Sequence, residues 1–313
     1  MKDIIAFFPG QGAQQVGMLQ DLVADHPIIK ETFEQASEAI NQDLWQLSQE
    51  GPAEELNLTY NTQPALLTAS MALWRVVQAQ AEINVKAAAG HSLGEYSALV
   101  AAGALTLEEG VKLVKQRGTL MDNAVPAGQG GMAAVLGLDG DQIQQVCADA
   151  KEVGLVEPAN FNAPGQIVIA GTASGVEKAC ELAKAAGAKR ALPLAVSGPF
   201  HSSLMKEAAE PFIEALQQVN WQAPAFPVLH NATNTLADLA DIPQRLVEQL
   251  YSPVNWIGAV EAATQAAAKV ECAVEFGPGK VLAGLNKRID KSLATLNTGD
   301  AASLEKALSG LAE

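Results

Sequence analysis

The chain has 313 residues, of which 49% are hydrophobic and 18% charged, and it carries a formal net charge of −15. That composition excludes a disordered or fibrous chain and is enough for a large core in one or two domains. The acidic balance argues against general nucleic-acid binding, and no apolar run reaches membrane-spanning length, so neither nucleic acid nor a membrane is expected as a partner.

The chain passes from Met1-Lys2-Asp3 directly into the strand-like IIAFF, with no charged leader or cleavage site. Pro9-Gly10-Gln11-Gly12 comes next. A glycine-flanked residue after a strand lets a backbone N–H face a ligand closely. Dinucleotide binding fails on detail, because G-x-G-x-x-G needs glycine where Gln15 stands, and there is no Walker lysine. A backbone donor at Gln11 fits an oxyanion site better. Residues 26–41 and 64–81 carry helical periodicity.

VKAAAG then leads into Gly90-His91-Ser92-Leu93-Gly94, a Gly-x-Ser-x-Gly pentapeptide, and a small-residue helix runs on to about Ala102. Strand, tight turn and helix are the context such a nucleophile needs. Gly90 and Gly94 suit a cramped elbow, and the Leu93 N–H at the helix N-terminus points where an oxyanion would form. The competing reading is a chance pentapeptide in a Gly/Ala-rich chain.

Thr106-Leu107-Glu108-Glu109 has the form of a capping box and opens the next helix. On a wheel at about 100° per residue, residues 107–125 separate into an apolar and a polar side, save for Arg117, which falls between Leu113 and Met121. A buried guanidinium needs an anion. An internal salt bridge is the simpler reading. The alternative is a carboxylate clamp, since arginine binds carboxylates bidentately. With Ser92 as nucleophile, the clamp implies an acyl group ending in a carboxylate.

Composition shifts at PAGQGG. The segment beyond it reads strand (MAAVLGL), helix (141–151), strand (around 153–159), turn (NAPG), strand (QIVIAG), helix (173–187) and strand (KRALPLAV). This βαββαβ order is the split, ferredoxin-like unit. After SGP the alternation resumes: a helix from about 202, the strand FPVLHNAT, helices near 243–250 and 255–268, AVEFGPG, and a helix from about 280. The expected fold class is therefore α/β. A larger α/β-hydrolase-like domain with a mostly parallel sheet spans 1–127 and 198–313, and the ferredoxin-like small domain spans 128–197. A cleft between them is the natural ligand site. Cys147, Cys180 and Cys272 are scattered, which argues against a disulfide framework and a metal site and for a reduced, cytoplasmic enzyme.

A serine nucleophile needs a base. His26 precedes Pro27 at a helix start and reads as a surface residue, and His91 diverges from Ser92 as its neighbour in the turn. His230, at a strand end, and His201, in the loop after the small domain, remain. His201 is favoured because it would hang over the cleft. No carboxylate has a distinctive setting as the orienting group; Asp238, Asp241 and Glu275 are available, and a backbone carbonyl can also hold the tautomer.

PGQGAQ, GHSLGEYSA, the Arg117 helix, Phe200-His201, QLYSPVNW and EFGPGKVL occur in the order found in malonyl-CoA:acyl carrier protein transacylases, and the resemblance runs from residue 4 to the end of the chain. It implies Ser92 as the acyl-carrying nucleophile, His201 as its base, and the Gln249 backbone carbonyl as the group orienting that histidine. It further implies Gln11 and Leu93 as oxyanion donors, Arg117 as partner of the malonyl carboxylate, and Phe200 before the histidine as part of a malonyl-type pairing. The implied reaction is ping-pong, from malonyl-CoA to the pantetheine thiol of a holo, phosphopantetheinylated acyl carrier protein, without metal or other cofactor. A monomer is the expected state. Carrier and CoA are acidic, so a local basic rim is expected. Lys189 and Arg190, at the end of the small domain's last helix, and Lys280, Lys287, Arg288 and Lys291 are its candidates; a merely solvated face is the alternative. A serine hydrolase and a non-catalytic carrier-binding module are the rival functions.

Overall fold

Ile4–Phe8 is apolar without alternation, the pattern of a strand covered on both faces, and the computed structural model places it at the middle of a sheet. The structure describes residues 1–268, 270 and 272–312. In chain order, β1 (Lys2–Phe8) is followed by α1 (Ile28–Ile40), α2 (Leu44–Glu50), α3 (Ala53–Leu56) and α4 (Thr59–Gln80). Next come β2 (Ile83–Gly90), α5 (Gly94–Ala101) and α6 (Leu107–Asn123). The middle segment is β3 (Gly130–Leu136), α7 (Gly140–Ala150), β4 (Val156–Ala163), β5 (Gln166–Thr172), α8 (Ala173–Ala185) and β6 (Arg190–Pro193). A 3₁₀ turn at Ser203–Ala208 leads into α9 (Ala209–Leu216), then β7 (Val228–Leu229), α10 (Ile242–Tyr251), β8 (Val254–Asn255) and α11 (Trp256–Ala266). The chain closes with β9 (Cys272–Glu275), α12 (Val281–Ile289), β10 (Ala294–Asn297) and α13 (Ala301–Ala312).

Among the described residues the strands form two five-stranded sheets. The first, β10-β9-β1-β2-β7, is parallel at every pairing. Along β1, Ile4, Ala6 and Phe8 join one core with Phe33, Leu67 and Tyr96, while Ile5 and Phe7 join the opposite core with Trp256, Val260 and Leu282. Successive side chains point to opposite faces, so one apolar run fills two cores. The second sheet, β6-β3-β5-β4-β8, is antiparallel except where β8 runs parallel to β4. Its edge strand β8 comes from outside residues 128–197 and pairs Val254 with Asn160. Among the described residues no helix is long and apolar enough to cross a membrane.

Several expected boundaries move for local reasons. The helix expected at 64–81 starts at Thr59, with Pro64 inside it. The strand expected around 153–159 runs on to Ala163, with a register shift after Pro158, where proline removes a ladder donor. Of FPVLHNAT only Val228 and Leu229 are strand: the His230 N–H turns back to the Thr235 carbonyl and the Asn231 N–H goes to Glu95. The helix expected from about 202 begins as a 3₁₀ turn. Lys189 and Arg190 do not end a helix, because α8 stops at Ala185 and Gly187 takes φ 96°; Arg190 instead pairs with Leu136 in β6.

The capping box at Thr106 and Glu109 is formed on both sides, and α6 buries Val111, Leu113, Val114, Arg117 and Met121, the arc the wheel marks out. The elbow after β2 depends on its glycines. A Cβ on Gly90 would run into the Gly94 backbone, and one on Gly94 into the Phe8 carbonyl. Both obstacles are main chain packed around the sheet and cannot swing aside. Gly94→Ala is expected to lower stability by about 3 kcal/mol or more, read by chemical or thermal unfolding. A change under about 1 kcal/mol would mean that the elbow can relax.

Candidate active site

β1, β2 and β7 are parallel and adjacent, so their carboxyl ends open at one edge of the sheet, the usual place for a ligand in such folds. Gln11 lies just past the end of β1, Ser92 past the end of β2, and His230 and Asn231 past the end of β7. A cavity there is lined by Gln11, Gln63, Ser92, Leu93 and Arg117, by Met132, Asn160, Leu194 and Val196 of the middle segment, and by Phe200 and His201. Both parts of the chain thus contribute to its wall.

Ser92 Oγ lies 2.7 Å from His201 Nε2. The other ring nitrogen, Nδ1, is 2.9 Å from the Gln249 carbonyl oxygen. A carbonyl only accepts, so Nδ1 carries the hydrogen and Nε2 presents its lone pair to the serine hydroxyl. Ser92 at φ 50° and His201 at φ 58° both sit in the left-handed region. For residues with a side chain this costs on the order of 1–3 kcal/mol each and persists where the surroundings impose it. His201 is imposed upon by its loop: the Ser202 hydroxyl donates to the Pro199 carbonyl at 2.6 Å, and the Ser203 N–H donates to Glu157 of β4 at 2.7 Å. Burial, together with the charge of Arg117, pushes the His201 pKa down to about 3.

Arg117 is 1% exposed. Nη1 donates to Gln63 Oε1 at 2.9 Å, and Nη2 donates to Gln249 Oε1 at 2.8 Å and to Ser92 Oγ at 3.1 Å. The guanidinium lies over the Tyr96 ring, 5.1 Å from its centroid, and Nε has no partner among the described residues. Among the described residues no carboxylate stands within ion-pair distance of it. The internal salt bridge, the simpler reading of the wheel, is absent there. A buried cation is left facing the cavity, with the Glu95 carboxylate one amide away through Gln249.

The Gln11 and Leu93 N–H groups have no backbone partner among the described residues, and Leu93 caps the N-terminus of α5. Phe200 is buried in the cavity wall. The remaining histidines are accounted for. His91 Nε2 is 2.8 Å from Asn162 Oδ1, His26 Nδ1 is 3.3 Å from the Gln80 amide, and His230 Nδ1 is 2.7 Å from Glu95. Glu275 does not orient a histidine; it accepts from the Leu282 and Ala283 N–H groups at the start of α12. Lys189 and Arg190 are exposed on the middle segment and line no part of the cavity. Sequence reasoning missed Gln63, Glu95 and Asn231, and gave Gln249 a role only through its backbone. The available signal was polar residues in apolar runs, Gln63 ahead of PALL and Glu95 in GEYSALVAA.

The chain matches the model of the acyl transferase domain over residues 7–283. It is 52% identical to the malonyl CoA-acyl carrier protein transacylase of Salmonella typhimurium over 302 residues, covering 96% of this chain and 97% of the relative. The solved malonyl-CoA:acyl carrier protein transacylase of Xanthomonas oryzae pv. oryzae superposes with a TM-score of 0.96 at 49% identity, over 99% of each chain. A malonyl-transacylase solved in complex with a type II PKS acyl-carrier protein superposes with a TM-score of 0.95 at 47% identity, over 99% of this chain and 100% of that one.

The depressed pKa of His201 has a direct test, because a group with folded pKa about 3 stays neutral at any higher pH. The His201 ring should remain unprotonated from about pH 8 to about pH 5, where an ordinary imidazole titrates, as read from its carbon chemical shifts. Arg117→Met, which removes the neighbouring cation, should move the titration upward. A titration near the ordinary value in the unaltered chain would contradict the site electrostatics.

Proposed function

We propose a ping-pong malonyl transfer for this chain, which belongs to the acyl transferase family and within it to the malonyl CoA-acyl carrier protein transacylases. The substrates are malonyl-CoA and the pantetheine thiol of holo acyl carrier protein, and the product feeds fatty-acid or polyketide synthesis. The observation that carries the reading is the buried Arg117 cation beside Ser92 Oγ, with no carboxylate of its own among the described residues.

In the first half-reaction the malonyl carboxylate pairs with Arg117, which sets the thioester carbonyl against Ser92. His201 Nε2 takes the hydroxyl proton as Oγ attacks. The oxyanion forms between the Gln11 and Leu93 N–H groups. Collapse breaks the C–S bond, and the departing CoA sulfur takes the proton back from His201. In the second half-reaction the carrier's thiol gives its proton to His201 and attacks the Ser92 ester, and Ser92 leaves with that proton. The atoms and charge balance with no cofactor.

Arg117 also governs the base. Its charge helps to lower the His201 pKa, and a bound carboxylate offsets that charge. The base therefore strengthens when a malonyl group arrives, and an acetyl group brings no such offset. A serine hydrolase would share Ser92 and His201 but has no use for an unpaired buried cation.

The middle segment supports the reading of a ferredoxin-like unit, residues 128–197, set between 1–127 and 198–313: its own four strands lie in the order β6-β3-β5-β4 with antiparallel neighbours. On this reading Lys189 and Arg190 form part of the carrier's docking rim, and the enzyme is a cytoplasmic monomer.

Brief incubation with malonyl-CoA should add one malonyl mass to the chain, and Ser92→Ala should abolish it. Arg117→Ala should slow malonyl acylation by about 10²-fold, the scale of a lost charge-assisted contact in the transition state, and shift preference toward acetyl-CoA. Free malonate accumulating without an adduct would favour a hydrolase. Charge reversal at Lys189 and Arg190 should raise KM for the carrier and leave KM for malonyl-CoA unchanged; an unchanged carrier KM would remove them from the rim.

A further inference from the structure

Beneath the elbow lies a buried polar cluster of which this chemistry uses only the Gln249 backbone carbonyl. Glu95, His230 and Gln249 are fully buried and Asn231 nearly so. Glu95 receives three hydrogen bonds, from His230 Nδ1 at 2.7 Å, the Asn231 N–H at 3.0 Å and Gln249 Nε2 at 2.6 Å. All three contacts use the carboxyl oxygens of Glu95 as acceptors.

Two of those donors belong to residues that hold the reacting groups. Asn231 Oδ1 accepts the Ser92 N–H at 2.7 Å, and its Nδ2 donates to the Gly90 carbonyl at 2.6 Å. Gln249 Nε2 also donates to the Ser92 carbonyl at 2.9 Å, so both peptide groups flanking Ser92 are held by side chains of residues that Glu95 bonds, Asn231 through its backbone N–H and Gln249 through its amide. Gln249 Oε1 accepts from Arg117 Nη2 at 2.8 Å. A flipped Gln249 amide would set its oxygen against the Glu95 carboxylate and the Ser92 carbonyl, and its NH₂ against the guanidinium. Glu95 therefore acts with the Ser92 carbonyl to turn the amide oxygen toward Arg117.

We propose that Glu95 is a positioning residue for malonyl transfer: through Asn231 and Gln249 its carboxylate fixes the Ser92 backbone and aims Arg117 at the malonyl group, with His230 as its buried hydrogen-bond partner. The inference rests on the reading of Ser92 as acyl carrier and Arg117 as clamp. Burial opposes a charge on His230, but the hydrogen bond and charge of Glu95, with Asp241 Oδ1 3.5 Å from Nε2, raise its pKa above the ordinary value. His230 is thus committed to Glu95, which is why it stands apart from Ser92 although it lies at the same sheet edge.

The test is Glu95→Gln, which keeps size and removes the charge, so that three donors face one oxygen and one NH₂. Ser92 acylation by malonyl-CoA and by acetyl-CoA is followed by intact mass on the full chain, with thermal unfolding as the fold control. Malonyl acylation should fall by about 10–10²-fold, the effect of misplacing a reacting group, and the malonyl-to-acetyl ratio should fall with it. Arg117→Ala should then matter less in the Glu95→Gln background than in the unaltered chain, because coupled residues are not additive. Equal losses for both acyl groups, or effects of the two substitutions that simply multiply, would overturn the proposal. Gln249→Met serves as a second variant: it keeps the backbone carbonyl under His201 and removes only the relay amide. It should reproduce the loss of malonyl preference, and a retained preference would overturn the proposal even if Glu95→Gln failed to fold. An unaltered chain that forms no Ser92 adduct would sink the nucleophile assignment as well. Normal adducts with unaffected variants would sink the positioning role alone.

Discussion

A guanidinium buried to 1% exposure beside a serine hydroxyl, with amides and an aromatic ring around it and no carboxylate within ion-pair distance among the described residues, sets the terms for the rest of the site. Taking such a charge out of water has a penalty of several kcal/mol when no anion meets it. Gln63 and Gln249 offer only the partial charges of neutral oxygens, and burial lowers the Arg117 pKa below that of a free guanidinium. The missing anion is supplied by the substrate on the proposed reading. Substrate binding then completes an ion pair that the fold leaves half-built, and selectivity for a carboxylated acyl group arises from the same deficit. A second consequence falls on His201, whose basicity is held down by burial and by this cation.

Such an arrangement works only if the atoms around the cation are held still. Ser92 and His201 both occupy left-handed backbone conformations, and neither has a glycine's freedom to do so. The strain at Ser92 is balanced by side chains from distant parts of the chain: Asn231 takes its N–H and Gln249 its carbonyl. The elbow glycines remove the obstacles to this geometry, since a Cβ at either Gly90 or Gly94 would meet main chain. Gln249 joins the halves of the site, with its backbone carbonyl under His201, its amide nitrogen under Ser92 and Glu95, and its amide oxygen on Arg117. A one-residue slip in α10 would therefore disturb nucleophile, base and clamp together.

Much of this is legible in the chain because each signal is local. The elbow pentapeptide carries its glycines within five residues, the capping box fixes where α6 begins, and that start fixes the wheel on which Arg117 stands out. The hidden part depends on contacts between remote segments. A helical wheel cannot say whether a buried arginine meets a carboxylate, and only the folded chain shows Gln63 and Gln249 in that place. Glu95 reads as one acidic residue in a small-residue helix, because its three donors come from residues 230, 231 and 249. FPVLHNAT reads as a longer strand than the fold contains because polar partners beyond Leu229 take the backbone groups that a ladder would use. Lys189 and Arg190 stand beyond the end of α8 because Gly187 takes a positive φ and the chain passes into β6.

The same contrast separates the two serine chemistries open to this elbow. A hydrolase needs water to reach the acyl-enzyme, whereas a transferase must hold the acyl group until a thiol arrives. Here part of the wall beside Ser92 is Met132, Leu194, Val196 and Phe200, whose side chains offer a water no strong hydrogen-bond partner, while Gln11, Gln63 and Asn160 line the rest. On the proposed reading a malonyl ester occupies the guanidinium with its own carboxylate and the Gln11 and Leu93 N–H groups with its ester carbonyl. An acyl group pinned at both ends leaves little to order an attacking water against the ester carbonyl. On the proposed reading a pantetheine thiol needs no such ordering, because it arrives tethered to its carrier. On that reading Arg117, by holding the malonyl carboxylate in place, serves transfer as well as recognition.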